Sequence, residues 1–257
     1  MNGAQSLVKT MLASGLDVCF ANPGTSEMQL VSAIGDGDGM RPVLCLYEGV
    51  VTGAADGYGR MAGKPAMTLL HLGSGFSNGM ANLHNARRAH SPVINVVGDH
   101  ASYHLEYDAP LTSDVPAHCR ICSDWVRVSD SADELAALGA EAVHAASKGS
   151  GATATLIVPA NHAWEETAAT ASAATISQPD SASPAAVEQA AEALSGPRRG
   201  ALLLGGGALL ADNLEIAGRI AQASGARLLC ETFPARLQRG AGRCPVERVP
   251  YFSEQVQ

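Results

Sequence analysis

Short apolar runs alternate with helical segments along most of this chain, and few folds accept that order. Residues 17–21, 43–47, 66–71, 93–97 and 154–158 read as strands, each short, apolar and bounded by turn residues. Between them, Ala4, Leu7, Val8, Met11 and Leu12 recur at helical spacing, as do Met28, Leu30, Val31 and Ile34. The small-residue segment 50–61, the segment from about Phe76 to Ala89 and the Ala-rich stretch 131–147 complete the helical set. The order predicts an α/β fold with a doubly wound parallel sheet. Gly15 is expected to stop the first helix, Thr25 or Ser26 to cap the second, and Ser131 with Glu134 to form a capping box.

The alternation assigns residues 1–164 to one domain. From 165 to 183 the sequence turns to Ala, Thr, Ser and Pro without periodicity, which predicts an interdomain linker. Ser183-Pro184 starts a helix to about Leu194, followed by a strand at 201–204, a helix at 211–223 and a strand at 227–230. Residues 184–257 are thus expected to form a partial second Rossmann-like domain with little core of its own and no closing element after Phe233.

Composition narrows the function classes. The net charge of −8 and the lack of a basic stripe argue against a nucleic-acid surface. No apolar run approaches a membrane span, and Met1 leads into a helical pattern rather than a signal core, so a cytoplasmic location is expected. The six cysteines sit in a chain too large to need disulfide staples and read as reduced thiols.

The chemistry concentrates between Leu44 and Pro92. An apolar run at 43–47, read as a buried parallel strand, ends in Glu48, and the strand 66–71 ends in His71 before Gly73-Ser74-Gly75. Open α/β sheets place ligands at such carboxyl ends. On physical grounds alone Glu48 serves equally as a cap on the following helix dipole or as a catalyst. Gly73 to Gly79 is one position out of register for a dinucleotide fingerprint. The three glycines 205–207 read as a tight turn. Cys119 and Cys122 beside His118 have no second pair at metal spacing, and the acidic loop 35–39 lacks the distal glutamate of a calcium loop, so no metal ligand is assigned. His84, His90, His100 and His104 have no spacing that singles them out.

Asn22-Pro23-Gly24-Thr25, Glu48, Ala54-Ala55-Asp56-Gly57-Tyr58-Gly59-Arg60 with Gly63-Lys64-Pro65, Gly73-Ser74-Gly75 through Asn78, and His90-Ser91-Pro92 form an ordered set. This set resembles the thiamine-diphosphate-dependent enzymes of the acetolactate synthase large-subunit and benzoylformate decarboxylase group. The resemblance covers the family's pyrimidine-binding domain, and 187–230 resembles the start of its central domain. It implies that Glu48 bonds the cofactor's aminopyrimidine and promotes the imino tautomer that deprotonates the thiazolium, a task that needs a carboxyl shielded from bulk water. It implies cofactor contacts from Pro23, Gly73, Ser74, Gly75 and Asn78, substrate contacts from Thr25 and Gly24, and a catalytic role for His71, matching the histidine of benzoylformate decarboxylase.

The resemblance further implies a lyase or transferase acting on a 2-keto acid, working as a homodimer or homotetramer. Magnesium and the diphosphate would be held by a diphosphate-binding domain outside these residues, in the full-length chain or a partner. A flavin is compatible with the family, although no residue here points to one. By itself the chain is expected to be inactive. The rival readings are a non-catalytic pyrimidine-like module that binds or regulates a partner subunit, and a dinucleotide-binding protein.

Overall fold

The computed structural model describes residues 1–170, 173–176, 181–197 and 200–255. The chain divides into two units, 1–177 and 178–257. In the first, α1 (Gly3–Ala13) opens with Asn2 and Gln5 in a capping box and ends before Gly15, whose φ of 85° suits a glycine stop. There follow β1 (Val18–Asn22), α2 (Met28–Asp36), β2 (Arg41–Leu44), α3 (Glu48–Ala62), β3 (Ala66–His71) and α4 (Leu72–Arg88). Then come β4 (Val93–Asp99), α5 (Val115–Cys122), β5 (Trp125–Val128), α6 (Leu135–Ala146), β6 (Thr153–Pro159) and α7 (Ala160–Trp164).

The six strands form one parallel sheet in the order β2-β1-β3-β4-β6-β5. The three central strands β3, β4 and β6 are apolar and almost wholly buried, as a sheet covered on both faces requires. On one face Leu7 and Met11 of α1, Leu30 of α2 and Leu135 of α6 pack against Met67, Ile94 and Leu156. Across the sheet Val51 of α3, Phe76 and Leu83 of α4 and Val115 of α5 meet Leu70, Val97 and Ile157. Each fully buried leucine or phenylalanine in these layers contributes about 1.5–3 kcal/mol. Four buried polar side chains form a rail through the sheet: Thr68 Oγ1 to Asn95 Oδ1 (2.8 Å), Asn95 Nδ2 to Thr155 Oγ1 (3.0 Å), and Ser123 Oγ to Thr155 Oγ1 (2.7 Å). Pairing offsets what isolated burial of these groups would cost.

Strand order reverses beside β1: the chain goes out to β2 and returns to β3 on the other side. A crevice therefore opens between the carboxyl ends of β1 and β3, where Asn22 and His71 stand.

Several expectations change. The strand before Glu48 is not buried at 43–47 but spans Arg41–Leu44 at the sheet edge, with Leu44 71% and Leu46 91% exposed. Gly73-Ser74-Gly75 is no free turn: α4 begins at Leu72, so the three lie in its first helical turn. Neither Thr25 nor Ser26 caps α2; the residues form a 3-10 turn (Thr25–Glu27) in which Glu27 Oε2 accepts the Gly24 N–H at 2.7 Å. Ser131 makes no capping bond, and Glu134 accepts from the Asp130 N–H instead. The elements α5, β5 and α7 were not foreseen, because their short, mixed stretches carry neither a clean helical nor a strand period.

The expected linker 165–183 also starts later than its composition suggests. Glu165 O accepts the Gly3 N–H, Glu166 bridges Asn2, Ala169 O accepts from Ser6 and Thr175 O meets His144, so residues 165–170 and 173–176 bind the first unit. Residues 171–172 and 177–180 of that stretch lie outside the described residues. The second unit has α8 (Pro184–Ser195), capped by Ser183 on the Ala186 N–H, then β7 (Ala201–Leu204), α9 (Ala211–Ser224), β8 (Arg227–Cys230) and β9 (Glu247–Arg248). Its three parallel strands follow the order β7-β8-β9 over a small core of Leu209, Leu214, Leu228 and Cys230. The two-residue strand β9 pairs with β8 in the tail after Phe233, where no closing element was expected. All six cysteines are free, and no described helix is long and apolar enough to cross a membrane.

Candidate functional site

Three strand ends and one helix build the crevice. Glu48 is the first residue of α3, where its charge meets the positive end of the helix dipole. Asn78 Nδ2, nearly two turns into α4, donates to Glu48 Oε2 at 3.0 Å. The same edge is fastened by Tyr47 hydroxyl to Asn78 O (3.3 Å), Asn82 Nδ2 to Gly49 O (2.7 Å) and Thr52 Oγ1 to Gly79 O (2.9 Å). Glu48 Oε1 has no such bond among the described residues and faces Gly75, where a Cβ would stand 3.3 Å away. Glu48 is half-buried, with exposed Leu46, Tyr47 and Val50 beside it. The shielding expected of this carboxyl is therefore not supplied by the described residues.

His71 closes β3 and is held from behind. Its Nδ1 lies 2.8 Å from Glu27 Oε2, and Glu27 is fully buried. Burial pushes the Glu27 carboxyl up, the His71 charge pulls it back, and the Gly24 N–H adds a second downward pull. Among the described residues Glu27 Oε1 has no hydrogen-bond partner. A Cβ on Gly24 would stand 2.4 Å from His71 Nδ1, so only glycine lets the turn close over the ring. Gly75 joins the two halves, since its missing Cβ would lie 3.3 Å from Glu48 Oε1 and 3.5 Å from His71 Cβ.

The other expected residues divide. Thr25 is exposed at the crevice rim, as are Ser74 and Asn78 on α4. Gly73 is buried against Ser113, whose Oγ would be 2.1 Å from a Cβ there. Pro23 lines a small apolar cavity of about 200 Å³ with Cys19, Val31, Ile34 and Leu69, which gives it a packing role. Reading the sequence missed Glu27 and Ser113. The glutamate did carry a signal, a capping spacing to Gly24, but Ser113 lies in a loop whose approach to Gly73 no local pattern encodes. His118 Nδ1 sits 2.6 Å from Ser77 Oγ, the Cys119 thiol is pushed up to about 12 mainly by burial, and no described group of three His, Cys, Asp or Glu side chains could hold a metal ion.

Residues 1–118 match the family described as thiamine pyrophosphate enzyme, N-terminal TPP binding domain. Within these residues the chain carries the N-terminal domain that the family's model describes. A Mycobacterium tuberculosis protein, provisionally named as acetolactate synthase large subunit IlvX, is 52% identical over 254 residues, covering 99% of this chain and 49% of the relative. Benzoylformate decarboxylase of Pseudomonas aeruginosa is 35% identical over 99 residues, 38% of this chain and 18% of that protein. The solved thiamine diphosphate-dependent 4-hydroxybenzoylformate decarboxylase of Rhodococcus jostii superposes with a TM-score of 0.86 at 22% identity, over 100% of this chain and 49% of that one. At that identity the superposition speaks for the fold. The chain spans about half of the first of these relatives, and less of the decarboxylase.

The residues present fit the aminopyrimidine side of thiamine diphosphate. An oriented carboxylate with one oxygen left without a partner, beside a glycine that leaves its approach open, suits a ring nitrogen that shares a proton.

Proposed function

We propose that this chain supplies the pyrimidine side of a thiamine diphosphate site in a 2-keto-acid decarboxylase or carboligase. The observation that carries the reading is the Asn78-to-Glu48 hydrogen bond, which fixes one carboxylate oxygen and leaves the other for the ligand. When bound, thiamine diphosphate supplies the electron sink for breaking or forming a bond next to a carbonyl. Glu48 holds a proton at the pyrimidine ring nitrogen, and Asn78 sets the plane of its carboxylate. Gly75 leaves room for the ring, while Ser74 offers a hydroxyl at the same rim. His71, held at Nδ1 by Glu27, presents Nε2 to the substrate side and moves a proton there. Thr25 and the Gly24 turn bind the carboxylate of the keto acid at the rim.

The diphosphate and its magnesium would be held by a diphosphate-binding domain of the full-length chain or of a partner. The exposed collar of Leu46, Tyr47 and Val50 supports this reading, because a facing domain would cover it and exclude water from Glu48. We place the protein in the cytoplasm as a homo-oligomer whose first domain runs on to about residue 176 and whose second starts near 184.

Isothermal titration with thiamine diphosphate and magnesium, with and without a separately made diphosphate domain, tests the assignment. Binding is expected only in the mixture and should fall at least tenfold with Glu48→Gln. Undiminished binding by the variant would reject the role of Glu48. The same collar favours a second reading, a non-catalytic module that regulates a partner subunit. Association of the two parts with no cofactor dependence would select it.

A further inference from the structure

Between His71 and Gly73 the backbone passes through a conformation that leucine rarely adopts. Leu72 has a φ of 54°, and its side chain is 1% exposed. In this left-handed region the Cβ crowds the neighbouring carbonyl, and a bulky residue is strained. Three other described non-glycine residues share a positive φ, His90, Asp108 and Ala241, and all three are exposed. Only Leu72 of the four is held inside the protein, at the bend where β3 becomes α4.

The flanks of the bend are the two halves of the crevice. His71 before it is still extended, with φ −94° and ψ 108°, and reaches Glu27 at 2.8 Å. After it, Gly73 is pressed against Ser113, and Gly75 stands beside both Glu48 and His71. A relaxed helical φ at residue 72 would rotate the peptide planes on either side and separate these contacts. Strain of this kind persists where surrounding packing over-determines it.

We propose that Leu72 is a positioning residue: its buried side chain locks a left-handed bend that turns His71 onto Glu27 and sets the first turn of α4 against Glu48. The functional meaning of His71 and Glu48 rests on the reading above, but the bend is tested without cofactor. Leu72→Gly and Leu72→Ala both remove the side chain, and only glycine tolerates the conformation freely. In the whole chain Leu72→Gly should melt about 3 °C above Leu72→Ala. At an ordinary helix position the order is reversed.

The ring nitrogens of ¹⁵N-labelled His71, assigned through His71→Gln, supply the second readout. Their shifts should change in Leu72→Gly, where the bend is no longer locked. They should stay at parental values in Leu83→Ala, which opens a cavity elsewhere on α4. An alanine variant as stable as the glycine variant would overturn the proposal. So would His71 signals that ignore Leu72→Gly, or that respond equally to Leu83→Ala. Should neither truncation fold, Leu72→Met and Leu72→Ile keep the site filled, and the β-branched isoleucine must melt lower. Equal melting of that pair would overturn it as well.

Discussion

The junction between β2 and α3 is exposed and that between β3 and α4 is closed, although each delivers one ionisable side chain to the same crevice. Before Glu48 the chain leaves an edge strand and passes through exposed Leu44, Leu46 and Tyr47. Before His71 it leaves a buried central strand, bends at a buried Leu72, and finds Glu27 waiting behind the ring. One group is fixed sideways by an exposed amide and open to whatever faces it; the other is set by the fold's interior. The difference teaches that the His71 half is built within this chain, whereas the Glu48 half needs a second surface to become dry.

The sharpest break of this contrast is one methyl group placed behind the Glu27–His71 pair and another on the exposed side of α3, the helix that Glu48 begins. A Cβ on Gly98, the register partner of His71, would stand 1.8 Å from Glu27 Oε1 inside a fully buried strand. Gly98→Ala should cost about 3 kcal/mol and lower the melting temperature by about 6–12 °C. Gly57, on α3, has nothing within 4 Å of its Cβ position, so Gly57→Ala should gain up to about 1 kcal/mol through helix propensity. Thermal melts of the two variants decide the matter, and a loss of under about 2 °C for Gly98→Ala would mean that the closed junction gives way easily.

The next effect separates the junctions by pH. Burial raises the Glu27 carboxyl above its ordinary value of 4.5, against the opposing pull of His71. A carboxyl raised on folding holds its proton more tightly in the folded chain. Its contribution is fully present below the ordinary value and is lost as the pH rises through the raised one. Glu27→Gln keeps the shape and the bond from the Gly24 N–H but removes the titration. The variant should therefore gain on the parent as melts are repeated from about pH 4.5 upward. Asp99, also raised by burial, is present in both proteins and cancels in the difference. A difference that stays constant with pH would show that Glu27 is not the group concerned.

Legibility in the sequence followed the same divide. The central strands were plain because a sheet covered on both faces demands unbroken apolar runs, and 66–71 was placed to the residue. The run at 43–47 looked like one of them, yet an edge strand can spend apolar residues on an interface, and Leu44 and Leu46 point to solvent here. That Glu48 and His71 come together at one crevice was legible through strand ends, and the ordered motifs added Asn78, which bonds Glu48. Glu27 was hidden because a glutamate after a turn reads as a cap. Its second role comes from His71, 44 residues later, and only tertiary packing supplies that pairing. Leu72 was hidden for a related reason: nothing in a leucine advertises a positive φ.

The smallest effect on stability belongs to the open junction. Asn78 is exposed, and its one bond to Glu48 Oε2 spans two surface side chains, so Asn78→Ala should shift the melting temperature by only about 1 °C. Its effect on the mixture with a diphosphate domain should be larger, because the carboxylate is then free to turn its proton-sharing oxygen away from the ring. A loss of about fivefold in thiamine diphosphate affinity corresponds to one ordinary hydrogen bond of about 1 kcal/mol. Asn78→Asp sets a second negative charge against Glu48 and should weaken binding further. If both variants bind as the parent does, Glu48 is oriented by the facing domain rather than by α4. The open junction would then contribute a carboxylate and nothing of its geometry.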